Sequence, residues 1–157
     1  MSLNKAFGSL DGAFRTRTFD LNGHTFKVKV PLTVEMEAMQ ERLKKPCAAT
    51  EKRHYDDLTK TFLENKDAAK DIEGVEIKKD DVIVEGHSLK ELAKQKALSE
   101  RRIEEMFKLL VPEEEGFDMS TITYAMIDEM FPFAIQIEIM EAISRTISPD
   151  YKDRRGK

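Results

Sequence analysis

The pair Asn22-Gly23, inside FRTRTFDLNGHTFKVKV at residues 14–30, constrains this chain more than any other feature. A two-residue type I′ turn needs positive φ at both central positions, and Asn-Gly meets that need at little steric cost. Placing the turn there sets a register: Leu21 opposite His24, Phe19 opposite Phe26, Arg17 opposite Val28 and Arg15 opposite Val30. The other face pairs Asp20 with Thr25, Thr18 with Lys27 and Thr16 with Lys29. One face is wholly polar and the other carries an aromatic pair, so a slip of one residue would scramble both. A lone hairpin is marginal in water, so the Phe19, Phe26 and Val28 face must be covered by helices or by another chain.

Most of the remaining chain reads as helix. Pro31 closes the hairpin, and Thr33 is placed to cap a helix over 34–44, with Glu35 and Glu37 at its positive end. A second helix over 50–66 carries Tyr55, Leu58, Phe62 and Leu63 among polar neighbours. GVEIKKDDVIVEG, at 74–86, suggests a small hairpin around a charged turn. Ser88 and Glu91 form a capping box for a helix over 88–110, which Pro112 and the acidic loop Glu113-Glu114-Glu115-Gly116 end. Ser120 or Thr123 caps a short helix over 121–130, and Pro132 opens a final helix over 132–147. IQIEI alternates with period two, as a strand would, but the Pro start and the length of the run favour helix. The expected fold is mainly α with a small N-terminal β-hairpin (α+β): one domain over 14–147 with about five helices. Flexible ends are expected at 1–13 and 148–157.

Charge and cysteine content narrow the function classes. A net charge of −4 argues against nucleic acid, for which a basic domain is the usual footprint. The single cysteine, Cys47, excludes an intrachain disulfide and suits a reducing compartment. No run of apolar residues is long enough to span a membrane, and the first residues do not resemble a secretion signal, so a cytoplasmic protein with no membrane partner is expected. His24, His54 and His87 lack metal-ligand spacing and read as surface histidines; Cys47 lacks a nucleophile signature and reads as a small half-buried residue. Asp80-Asp81 and Glu113 to Glu115 read as solvated acidic turns, and the glycines never cluster into a phosphate cradle. The expectation is therefore no enzyme, no cofactor and no metal.

Contacts remain. In the final helix Phe133, Ile135, Ile137, Ile139, Met140, Ala142, Ile143 and Ile147 spread over about 220° at 100° per residue, twice the stripe an ordinary surface helix needs. Either this helix is wrapped on all sides by its own domain, or part of the arc meets a partner: another copy or a client. Eight methionines in a chain without Trp carry the same two readings: Met, flexible and polarisable, either fills gaps in a helical core or supplies an adaptable surface. The candidate partner-binding residues are Met126, Met130, Phe133, Ile135, Ile139, Met140, Ile143 and Ile147.

The hairpin-then-helix RTFDLNGHTFKVKVPLTVEMEAM and the closing TITYAMIDEMFPFAIQIEIMEAI together resemble the tail assembly chaperones of long-tailed phages. Thr123, Tyr124, Ile127, Glu129, Phe131 and Pro132 stand at the positions of that family's T-Y-x-x-[LI]-x-E-x-F-P pattern, while 46–86 carries no family signal. The resemblance implies a small, non-enzymatic, mostly helical protein that binds the tape measure protein during tail assembly in the host cytoplasm. It also implies two translational forms, of which a chain ending in RRGK would be the short one. Loading many copies along one client would favour self-association as well. Two other readings stand beside it: a homo-oligomeric structural protein of the virion, such as a tail completion component, and a small regulatory adaptor.

Overall fold

The computed structural model describes residues 15–148, so the ends expected to be flexible lie outside the described residues except for Ser148. The fold is mainly α with a small N-terminal antiparallel hairpin. The chain divides into two compact units. Among the described residues one, here the terminal unit, comprises 15–40 and 102–148; the other, the middle unit, is Glu41–Arg101. The middle of the chain builds a sheet of its own.

In the terminal unit, β1 (Thr16–Leu21) and β2 (His24–Lys29) pair in the register that Asn22-Gly23 dictates, with Phe19 opposite Phe26 and Arg17 opposite Val28. Both turn residues have positive φ, 51° and 82°. The two phenylalanine rings stack with centroids 5.1 Å apart. In such a hairpin the backbone groups of alternate residues on β2 point away from β1 and need another partner. They find it late in the chain: Lys29 N–H donates to Leu109 O and Val111 N–H donates to Lys27 O, each at 2.8 Å. Val28, opposite Leu110 in that ladder, is fully buried.

This pairing explains where the long helix stops. The helix expected over 88–110 is α4, Leu89–Phe107, and the chain leaves it so that 109–111 can lie along β2. The other helices of the described residues are α1 (Thr33–Leu43), α2 (Ala48–Glu64), α3 (Lys66–Lys70), α5 (Tyr124–Met130) and α6 (Phe133–Ile147). A 3-10 turn at Met119–Thr121 precedes α5. The IQIEI alternation lies within α6 and is helical throughout. α6 packs on β1 and β2, and Arg17 Nη1 donates to Thr146 O at 2.8 Å, placing a cation at the negative end of that helix. Ile139, Ala142 and Ile143 on α6 are buried, as are Ile103, Met106 and Phe107 on α4.

In the middle unit, β3 (Val75–Ile77), β4 (Val82–Val84) and β5 (His87–Ser88) form one antiparallel sheet in that order. The 74–86 hairpin expected from sequence is present, with Val75 opposite Val84 and Ile77 opposite Val82. Asp81 is not a solvated turn residue. Its carboxylate accepts from Val82 N–H at 2.8 Å, from Lys90 N–H at 3.0 Å and from the Ser88 hydroxyl at 2.5 Å. Ser88 Oγ in turn accepts from Glu91 N–H at 3.0 Å, so the first amides of α4 are satisfied by two side chains acting in series.

Candidate functional site

The residues of the T-Y-x-x-I-x-E-x-F-P pattern build the turn between α5 and α6. Thr123 is extended and its Oγ1 accepts from Met126 N–H, which starts α5. Glu104, on α4 within the same unit, accepts from Tyr124 N–H at 3.0 Å, so two side chains divide the unpaired amides of this short helix. Ahead of it, Asp118 caps the 3-10 turn through Ser120, and those hydrogen bonds hold its carboxyl below the ordinary value. α5 ends at Phe131, whose extended backbone is the conformation a following proline demands. Pro132 is the N-cap of α6 rather than its first helical residue, and its carbonyl accepts from Ile135 and Gln136. The Phe131 ring meets Phe107 with centroids 5.8 Å apart.

A buried amide holds this turn together. Gln136 is 0% exposed, the only polar side chain so placed on α6. Its Oε1 accepts from the Tyr124 hydroxyl at 2.8 Å, and its Nε2 donates to Asp128 Oδ1 at 3.0 Å and to Phe131 O at 2.8 Å. Both amide hydrogens are thus used, and the opposite orientation would set an oxygen against two acceptors. Leaving such a group unsatisfied costs about 1–3 kcal/mol, so completion of the network matters as much as its existence.

Around this turn three large apolar side chains face solvent: Met126 at 44% exposure, Met130 at 75% and Phe133 at 57%. Met126 and Met130 lie one helical turn apart, on the same side of α5, while Ile127 turns inward. Met130 also borders a groove of about 730 Å³ whose lining includes Phe26 and Lys27 of β2, Val111, Pro112 and the exposed Phe117.

The eight residues expected to meet a partner divide into three groups. Met126, Met130 and Phe133 are exposed; Ile135, Met140 and Ile147 are half-buried. Ile139 and Ile143, both expected among the partner-binding residues, are fully buried and belong to the core, so on their side the arc is wrapped by the chain's own residues. They lie one helical turn apart on α6, on the side away from Glu138, Glu141 and Arg145, and all three of those are exposed. Gln136 was missing from the sequence-based set, although a polar residue inside an apolar arc was the available signal.

Elsewhere, two expectations change. His54 is half-buried against Glu100, which also meets Arg53 Nη2 at 3.2 Å, so it is not a surface histidine. Cys47 is exposed and is the N-cap residue of α2, with no hydrogen bond from its side chain to the first turn; the nearby Thr50 amide, then the Thr50 side chain and the Ala49 amide, pull the thiol below its ordinary value. Among the described residues no three His, Cys, Asp or Glu side chains gather as metal ligands would, and no helix is long and apolar enough to cross a membrane. Neither a family model, nor a curated protein, nor a solved structure matches the chain.

Proposed function

We propose that this protein is a phage tail assembly chaperone that binds the tape measure protein and keeps it soluble while the tail is built. The reading is carried by one observation: the residues of the T-Y-x-x-I-x-E-x-F-P pattern form a braced turn that leaves Met126, Met130 and Phe133 exposed on either side of it. An aggregation-prone helical client needs an adaptable apolar surface, and methionine with one aromatic anchor suits helix-in-groove contact. Charged residues, 36% of the chain, would keep the complex soluble. The chaperone acts in the host cytoplasm, without enzymatic chemistry, and several copies load along one client.

Co-expression with the tape measure protein of the same genome, followed by size-exclusion chromatography with light scattering, tests this. The expected result is a soluble complex with several copies of this chain per client. Replacing Met126, Met130 and Phe133 together by Ser should leave the client insoluble, while each exposed substitution changes stability by no more than about 0.5 kcal/mol. If the triple variant still holds the client in solution, the turn is not its binding surface. Insoluble client beside a free oligomer of the unaltered chain would instead support a structural role in the virion.

A further inference from the structure

Gln136 touches α5 at three places: its first residue through the Tyr124 hydroxyl, its middle through Asp128 and its C-cap through Phe131 O. These three points span 124–131, the whole length of α5, and all converge on one side chain of α6. α5 has seven residues, too few to be stable from its own hydrogen bonds, so its orientation must come from outside. Of its apolar residues only Ile127 is buried, and Met126 and Met130 on its exposed side contribute little packing. We infer that Gln136 is a positioning residue: it sets the direction of α5 against α6 and thereby holds Met126, Met130 and Phe133 in a fixed arrangement, without itself reaching a partner. An apolar residue would fill the same space, but it could not choose among the rotations of a short helix with one buried side chain. Directional hydrogen bonds to three points can. The step from a braced turn to client affinity rests on the chaperone reading given above; the bracing itself does not.

The experiment is Gln136→Met, which keeps side-chain length and helix preference while removing all three hydrogen bonds. Two readouts separate the inference from the reading it builds on. The first, amide hydrogen exchange on the free protein, needs no client: exchange over 124–131 should quicken by about tenfold or more, beyond any general loss of protection, while 137–147 keeps its own. The second is retention of the co-expressed tape measure protein, which should fall although Met126, Met130 and Phe133 are intact. Tyr124→Phe, which removes one bond of the three, should move both readouts the same way by a smaller factor, and it serves if Gln136→Met fails to fold. Unchanged exchange over 124–131 would overturn the bracing role. Faster exchange with full client retention would overturn the link to binding. If the unaltered chain retains no client, the chaperone reading fails, and the exchange result still decides whether Gln136 braces α5.

Discussion

The two units organise their turns around opposite kinds of group. In the terminal unit the α5–α6 turn converges on Gln136, a neutral amide with no exposed surface. In the middle unit the β3–β4 turn and the start of α4 converge on Asp81, a carboxylate that stays partly exposed. Each group makes three hydrogen bonds. The difference in burial follows from charge: an amide can be sealed in once its partners are met, whereas a fully buried carboxylate would also lose its hydration. The surroundings differ to match. Large buried side chains such as Ile103, Phe107, Ile139 and Ile143 fall in the terminal unit, while the buried apolar residues of the middle unit are Val82, Leu89 and three alanines. One unit is specified by a packed core with a neutral brace, the other by a charged cap on a thin core.

Striking at that packed core should have the largest effect. Ile143→Asp places an unpaired carboxylate at a position with no exposed surface, at a cost of about 3–5 kcal/mol, against a total stability of about 5–15 kcal/mol for a typical domain. Urea denaturation followed by hydrogen exchange should show the terminal unit open. Loss of client binding by this variant would therefore report unfolding, which is why the exposed Met126, Met130 and Phe133 make the better probe. If Ile143→Asp leaves the exchange of α6 unchanged, the terminal unit does not depend on its core in the way the contrast requires.

The charged cap gives a smaller effect with a direction in pH. Burial pushes the Asp81 carboxyl up, but the hydrogen bonds from Ser88, Lys90 and Val82 and the Lys90 charge outweigh it, leaving the group below its ordinary value of 3.8. A carboxyl held low in the folded state contributes stability that is complete above its ordinary value and is lost as pH falls through the folded one. The middle unit should therefore lose protection as the solution is acidified below about pH 4, whereas Gln136 itself does not titrate, and the low-held carboxyl of the terminal unit, Asp118, caps the 3-10 turn and is no part of the Gln136 network. Asp81→Asn should cost about 1–2 kcal/mol near neutrality and remove that acid limb. Urea midpoints measured from neutral to acid pH decide it; an acid limb that survives Asp81→Asn would belong to some other carboxylate.

The same contrast governs what the sequence made legible. The β1–β2 register could be read in full because Asn22-Gly23 and the polarity of two faces agree, and α6 because Pro132 and a long apolar run agree. Gln136 was within reach: counted from Phe133 at 100° per residue it lies near 300°, between Ile143 and Ile147 in the apolar arc. Its partners were less visible, since nothing local says that Tyr124 and Asp128 turn toward it. The pairing of 109–111 with β2 could not be read from its own residues, because KLLV continues a helical pattern and only the unpaired edge of a strand about eighty residues earlier draws it away. Asp81 was hidden for a related reason. Its partners Ser88 and Lys90 come within reach only if the chain reverses between β4 and β5, and that reversal lacks an Asn-Gly signal.

That missing signal makes the finest comparison between the units. The β4–β5 turn uses Glu85 and Gly86 at φ of 49° and 83°, nearly matching Asn22 and Gly23 at 51° and 82°. The φ angles match and the first residue does not. Asn tolerates the left-handed region because its short side chain can bond locally; a longer side chain there costs about 1–2 kcal/mol. Glu85→Asn should therefore stabilise the middle unit by about 0.5–1 kcal/mol, and its backbone N–H, which donates to Gly74 O at 2.7 Å, is unaffected by the change. The reciprocal Asn22→Glu should destabilise the terminal unit by a similar amount. Urea midpoints for the pair put a common scale on the two turns. If Asn22→Glu costs stability while Glu85→Asn adds none, the second turn is held by the Asp81 cap and not by its own residues, and the middle unit depends on that one carboxylate more heavily still.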